Sequence, residues 1–186
     1  MKKIGLCITG SFCMFSNLLK AVDELIHAGY DIIPVFSYNV SSLDTRFYKQ
    51  ADFEKLIVEK TGKTPVKTIV EAETITKSGI ELMLVAPCTG NTLAKIVNGI
   101  TDTPTMAVKA TLRTNKPVVL SISSNDALGA NAQNVGIALN TKNLYLVPFG
   151  QDAPTNKPHS LIADTTLILP TIEKALVHEQ IQPIIL

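Results

Sequence analysis

Tryptophan is absent from this chain of 186 residues, and charged residues make up only 18% of it. It has three cysteines, Cys7, Cys13 and Cys88, and three histidines, His27, His159 and His178. With so few thiol and imidazole ligands, none at metal-type spacing, no metal site is readable. There is no paired-carboxylate constellation and no Ser-His-Asp arrangement, so no catalytic residue can be named from the sequence. Basic and acidic residues number 17 and 16, giving a net charge of +1 with no basic stripe. Nucleic acid is therefore not an expected partner. No apolar run reaches the length of a membrane span. An odd number of cysteines without a disulfide framework points to a reducing cytoplasm. Met1-Lys2-Lys3-Ile4 begins like a signal peptide, but Gly10, Ser11 and Asn17 interrupt the apolar stretch, and we read a first strand instead. Two phosphate motifs are missing as well. Met14 stands where the third glycine of a GxGxxG fingerprint belongs, and no Gly-Lys-Ser follows the first strand.

What is present is a high apolar fraction, 46%. A chain of this length most simply forms one domain, residues 1–186, and its apolar excess suggests burial against copies of itself. Short apolar runs alternate with helical spacing. Ile4 to Thr9, Asp31 to Phe36, Leu82 to Ala86, Pro117 to Ile122 and Leu144 to Val147 read as strands. Phe12 to His27, Phe47 to Lys60, Asn91 to Asn98, Thr105 to Thr114, Asn131 to Asn140 and Thr171 to Gln180 read as helices. Tyr38 to Asp44 is expected to be a loop, Lys67 to Val70 a short strand, and Gly150 to Pro158 a polar tail. Strands separated by helices predict an α/β fold with a parallel sheet covered on both faces.

Ligands in such folds sit beyond the carboxyl ends of the strands. The most informative stretch lies there: Ala86-Pro87-Cys88-Thr89-Gly90-Asn91-Thr92 follows an apolar run and opens a helix. A turn with two hydroxyls, an amide and a glycine aims short donors and backbone N–H groups at one point, as a phosphate or a flat polar ring requires. Gly10, Ser11 and Phe12 form a second such turn after the first strand, and Ser37 ends the second strand. Ser11 serves equally well as a helix N-cap. Cys88 invites a nucleophile hypothesis, but free cysteine is commonly a small buried packer, and no histidine is placed to activate it. Ser123, Ser124, Asn125 and Asp126 either make a turn or present donors to a heterocycle. Lys109 and Arg113, four apart on a helix, either clamp a dicarboxylate or sit solvated near the helix C-terminus. His159 is the one histidine with a plausible role, on the substrate side. If the chain is an enzyme, so few acid–base groups mean that a cofactor carries the chemistry.

Pro87-Cys88-Thr89-Gly90-Asn91-Thr92 resembles the Pro-Ala-Ser-Ala-Asn-Thr signature of the homo-oligomeric flavin-containing cysteine decarboxylases, with Pro, Asn and Thr in register. Asn125 matches the asparagine of that family's Pro-x-Met-Asn-x-x-Met-Trp segment, and Leu128 stands for its second methionine. The Pro and Trp of that segment, and the histidine after the second strand, are missing. The runs Asn98 to Pro104, Asn140 to Asn143 and Val147 to Asp152 resemble, more narrowly, the B subunits of the dipicolinate synthases of spore-forming bacteria. This resemblance implies a three-layer flavodoxin-like (Rossmann-like) domain and flavin mononucleotide (FMN) as cofactor. Gly10, Ser11, Ser37, Thr89, Asn91 and Thr92 are its implied contacts, with Phe12, Pro87, Cys88, Ser123 and Asn125 beside them. It also implies a mother-cell cytoplasmic setting during sporulation and oxidation of dihydrodipicolinate, a small dicarboxylate, to dipicolinate. The implied partner is the dipicolinate synthase A subunit, which resembles a nicotinamide-binding dehydrogenase and carries NADP. The implied assembly is a homo-oligomer built from trimers, possibly a dodecamer.

Overall fold

The structure is a computed structural model that describes residues 2–186. Strand β1 (Lys2–Ile8) leads through a 3-10 turn at Phe12–Met14 into helix α1 (Phe15–His27). Then come β2 (Tyr30–Phe36), α2 (Tyr38–Ser42), α3 (Gln50–Thr61) and α4 (Ile69–Glu73). The middle of the chain supplies β3 (Leu82–Cys88), α5 (Gly90–Asn98), α6 (Thr103–Arg113), β4 (Val118–Ser124), α7 (Ala132–Leu139) and β5 (Leu144–Leu146). A hairpin, β6 (Phe149–Ala153) and β7 (Lys157–Ala163), precedes α8 (Ile168–Leu176).

The seven strands form one sheet in the order β2-β1-β3-β4-β7-β6, with β5 also pairing β4. Strands β2, β1, β3, β4 and β5 run parallel. Partnership along β4 changes half-way. Val118 to Leu120 pair with β5, whereas Ser123 and Ser124 pair antiparallel with Ile162 and Leu161 of β7. The chain winds outward from β1 in one direction and from β3 in the other, so the switch point lies between the carboxyl ends of β1 and β3.

The reasons are local. Phe15, Leu18, Val22 and Leu25 fall on one stripe of α1, and all are buried. Gly29 ends that segment with φ near 85°, a conformation glycine adopts without strain. Every residue of β3 is buried, as expected for a central strand covered on both faces. On one face Phe15 stacks on Phe53 at 4.1 Å, and Phe53 on Phe36 at 5.9 Å, locking α1 and α3 to β2. Each such fully buried side chain contributes about 1.5–3 kcal/mol. Helix α8 joins α1 on that face, while α5, α6 and α7 pack on the other.

Four expectations need correction. Residues 38–42 are a short helix rather than a loop: the Ser37 hydroxyl accepts from Val40 N–H at 3.4 Å, and Val40 is its one buried anchor. Around Lys67 only Val66 makes a strand-like bridge, to Val35. Thr68 and Glu71 form a capping box instead, so the chain turns into α4. The polar tail is an antiparallel hairpin, which makes the sheet mixed rather than wholly parallel. The last helix starts at Ile168, not Thr171. Pro170 falls within its first turn, where its missing N–H costs no hydrogen bond.

Candidate functional site

Two hydroxyls tie the strand ends together. Buried Thr9 donates from Oγ1 to the Pro87 carbonyl at 2.6 Å and accepts from Thr89 N–H at 3.1 Å. One side chain thus sets the spacing between the turns after β1 and β3. Ser11 Oγ meets Ser123 Oγ at 2.7 Å, extending the link to β4. Thr89 caps α5, accepting from Thr92 N–H at 3.2 Å and donating to Thr92 Oγ1 at 3.0 Å.

Above these turns opens a cleft of about 780 Å³. Its floor is Gly10, Ser11, Phe12, Thr89, Gly90, Asn91 and Ser123 to Asp126. Arg46 and Phe47, from the loop between α2 and α3, border it, as do Asp152, Lys157 and Ser160 to Ile162 of the hairpin. The N–H groups of Gly90 and Asn91 are in the first turn of α5, where no intrahelical acceptor exists, and that helix end carries partial positive charge.

One carboxylate lies within the cleft floor. Asp126 accepts from Ser124 Oγ at 2.6 Å and from Asn131 Nδ2 at 2.9 and 2.8 Å. The Ser124 hydroxyl, helped by Asn131 and against partial burial, holds it below the usual carboxylate range. Asn131 is fixed in turn by Asn134, whose Nδ2 donates at 2.8 Å, and Asn98 donates to Asn134 at 3.4 Å. Gly90 packs directly on this group. A Cβ there would lie 2.5 Å from Ser124 Oγ, 2.7 Å from Asn131 Nδ2 and 2.9 Å from Asp126 Oδ1.

Of the residues singled out in the sequence, Gly10, Ser11, Phe12, Thr89, Asn91, Ser123 and Asn125 come together in the cleft. Ser37, Pro87, Cys88 and Thr92 do not line it. Ser37 caps α2, Pro87 offers its carbonyl to Thr9, and Thr92 is buried beneath Thr89. Cys88 is wholly buried at the end of β3, and burial pushes its thiol up to about 12, an environment that disfavours the thiolate. The three substrate candidates are elsewhere. Lys109 reaches back from α6 to the Gly99 carbonyl and Thr101 Oγ1 in the turn between α5 and α6, and Arg113 is exposed in the last turn of α6. His159, exposed on β7, contributes only its carbonyl, to Leu128 N–H. Of the hairpin, Pro148 to Asp152 were singled out in the sequence as a strand-end segment on the substrate side, and Asp152 does border the cleft. Sequence reasoning missed Arg46, Phe47, Lys157 and Ser160 to Ile162, because nothing local signals which loop folds over a strand end. The five-residue spacing of Asp126 and Asn131 is the one missed signal that a turn reading contains.

The Flavoprotein family model matches residues 1–147. The chain belongs to that family. It is 45% identical to the dipicolinate synthase B subunit of Bacillus subtilis (strain 168), over 99% of this chain and 93% of that protein. The crystal structure of the dipicolinate synthase B subunit from Bacillus halodurans C superposes with a TM-score of 0.91 at 40% identity, covering 100% of this chain and 96% of that one. A dodecameric FMN-dependent UbiX-like decarboxylase from Escherichia coli O157:H7 shares the fold, with a TM-score of 0.60 at 21% identity, over 78% and 79% of the two chains. For a member of the Flavoprotein family, the donor set fits FMN. Hydroxyls, amides and two unsatisfied helix N–H groups suit a single phosphate and a polyol, Phe12 and Phe47 suit a flat ring, and no group of metal ligands competes among the described residues.

Proposed function

We propose that this chain is the flavin-type subunit of a dipicolinate synthase, and that it takes part in oxidising dihydrodipicolinate to dipicolinate for bacterial spores. The observation that carries this reading is the extent of the likeness. Similarity to the B subunit of the Bacillus subtilis synthase runs past residue 147, where the family model stops, through the hairpin that borders the cleft and on to the C-terminal helix. The working arrangement includes a second subunit carrying NADP, a closed homo-oligomer built from trimers, and the cytoplasm of the mother cell.

In this reading Ser11, Thr89, Ser123 and the first-turn N–H groups of α5 hold the phosphate and ribityl chain. Asn91 and Asn125 address the ring edge. Flavin, when bound, supplies a hydride acceptor. Loss of a hydride and a proton from dihydrodipicolinate leaves an aromatic pyridine, so the step is downhill, and the protein needs chiefly to hold the flat substrate in place and exclude water. The decisive experiment has two parts. Titration of apoprotein with FMN should quench flavin fluorescence to saturation near one equivalent. Dehydrogenation assays of the two subunits, separately and mixed, should give turnover that requires this chain. No FMN binding would overturn the cofactor reading.

A second reading, a non-catalytic subunit whose partner performs the hydride transfer, draws on one observation. The cleft holds no histidine, and its one floor carboxylate is already bonded by two side chains, Ser124 and Asn131, among the described residues. Activity of the partner alone would favour it.

A further inference from the structure

Arg46 and Lys157 are the only cations among the described residues that line the cleft. They reach it from opposite sides of the sheet. Arg46 belongs to the loop that follows β2 and α2, and Lys157 opens β7, beyond β4. The switch point between β1 and β3 lies between them.

Both cations keep donors to spare. Thr45 organises the Arg46 loop, its Oγ1 accepting from the N–H groups of Phe47 and Tyr48 at 3.2 Å each. Asp44, the acid nearest in sequence, is engaged elsewhere, with Gln50 N–H at 2.9 Å and Lys49 Nζ at 3.1 Å. No carboxylate pairs with Arg46 among the described residues. Its guanidinium instead lies 4.8 Å from the centre of the Phe47 ring. Lys157 donates one of its three N–H bonds to Asp152 at 2.6 Å, which leaves two. Ser160, on the same strand, lines the cleft while only 6% exposed, and its hydroxyl has no partner among the described residues.

We infer that the cleft takes a planar dicarboxylate end to end, one carboxylate on the Arg46 guanidinium and the other on the Lys157 ammonium with the Ser160 hydroxyl. The inference rests on the flavin-subunit reading and names the groups that choose its substrate. An arginine fork presents two parallel N–H donors to one carboxylate, whereas an ammonium tolerates several approaches, so Arg46 fixes orientation and Lys157 adds charge. Asp126, ionised on the β4 side of the floor, repels a carboxylate placed deep in the cleft and favours the two outer positions.

The test uses the FMN-loaded protein and calorimetric titration with pyridine-2,6-dicarboxylate, with pyridine-2-carboxylate as the one-ended probe. Wild type should bind the dicarboxylate at least about tenfold more tightly than the monocarboxylate, a preference that weakens with salt. Arg46→Gln and Lys157→Gln should each weaken the dicarboxylate by about tenfold, and Lys157→Gln should erase the preference between the probes. Arg46→Lys should fall between wild type and Arg46→Gln. Lys109→Gln, far from the cleft, should change nothing. Affinity for FMN and for riboflavin, measured on the apoprotein of each variant, should stay at the wild-type value. Unchanged dicarboxylate affinity in both glutamine variants, or no dicarboxylate binding by FMN-loaded wild type, overturns the inference and leaves the flavin reading standing. So does an Arg46→Gln variant that loses FMN but keeps riboflavin, which would make Arg46 a phosphate group holder. A wild type that takes up no FMN overturns the parent reading instead.

Discussion

Thr9 joins two turns that lie 80 residues apart in sequence, because its hydroxyl bonds both the Pro87 carbonyl and Thr89 N–H. Valine has nearly the same shape but neither bond. Thr9→Val should therefore leave two buried backbone groups unsatisfied and cost about 1–3 kcal/mol. Thermal melting should show the loss, and FMN titration should show weaker binding as the turn spacing relaxes. An unchanged melting temperature would mean that water replaces the hydroxyl. The thiols make a second residue-scale prediction. Cys7 and Cys88 are wholly buried and raised by burial, whereas Cys13 is exposed in the cleft. An aromatic disulfide reagent should label one thiol rapidly in the native protein and three after denaturation. Prior FMN loading should slow that first reaction. At this scale the sequence was legible where a residue acts within its own turn, as with Thr89, whose hydroxyl caps α5. Ser11 makes no such cap and instead meets Ser123 of β4. Arg46 and Lys157 were not legible, since their roles come from distant loops folding over the same strand ends.

At the scale of elements, two glycines in helices should respond in opposite ways to the same substitution. Gly90 begins α5 against Ser124, Asn131 and Asp126, with no space for a Cβ. Gly90→Ala should cost about 1–3 kcal/mol through overpacking, and it should push α5 away from the cleft. Gly136, exposed in α7, has nothing within 4 Å of a Cβ, so Gly136→Ala should stabilise by about 0.5–1 kcal/mol. Chemical denaturation of the pair tests both signs. The same loop sets a pH dependence. Asp126 is depressed from 3.8 by Ser124 first and Asn131 after. A depressed carboxylate stabilises the fold fully above its unfolded value and loses that contribution as pH falls through its lower folded value. Asp126→Asn should therefore flatten the acid limb of the stability curve below the ordinary carboxylate range, where the native carboxylate's contribution is lost. An unaltered limb would show that other carboxylates dominate. The strands of the parallel core were visible in advance because each is a compact apolar run. The hairpin was not, since Gln151 and Asp152 on β6 and Lys157 to His159 on β7 are exposed and polar. Nor was α2, with one buried anchor in five residues.

For the whole molecule, the described surface keeps several large apolar side chains in water. Ile100, Leu128, Ile137 and Leu139 are exposed on or near α5 and α7, with Ile185 and Leu186 at the C-terminus. Exposed apolar area of this kind is usually covered by a partner. Sedimentation or light scattering at micromolar concentration should return a closed homo-oligomer, with a mass in multiples of three chains; a monomer would refute the trimer-based assembly. The parallel α/β architecture and the position of the cleft followed from the alternation of elements alone. The mixed character of the sheet did not, because β4 changes partner half-way along its length.

The links from Asp126 through Asn131 and Asn134 to Asn98 have one further consequence. Carboxamides orient one another, but they do not pass a proton along as hydroxyls and water do. The Asp126 charge is therefore insulated from the far side of the protein and exchanges its proton only by way of Ser124 and the open cleft. A ligand that fills the cleft should trap whichever protonation state it found. In a rapid acid jump, the loaded protein should then change its spectrum more slowly than the empty one.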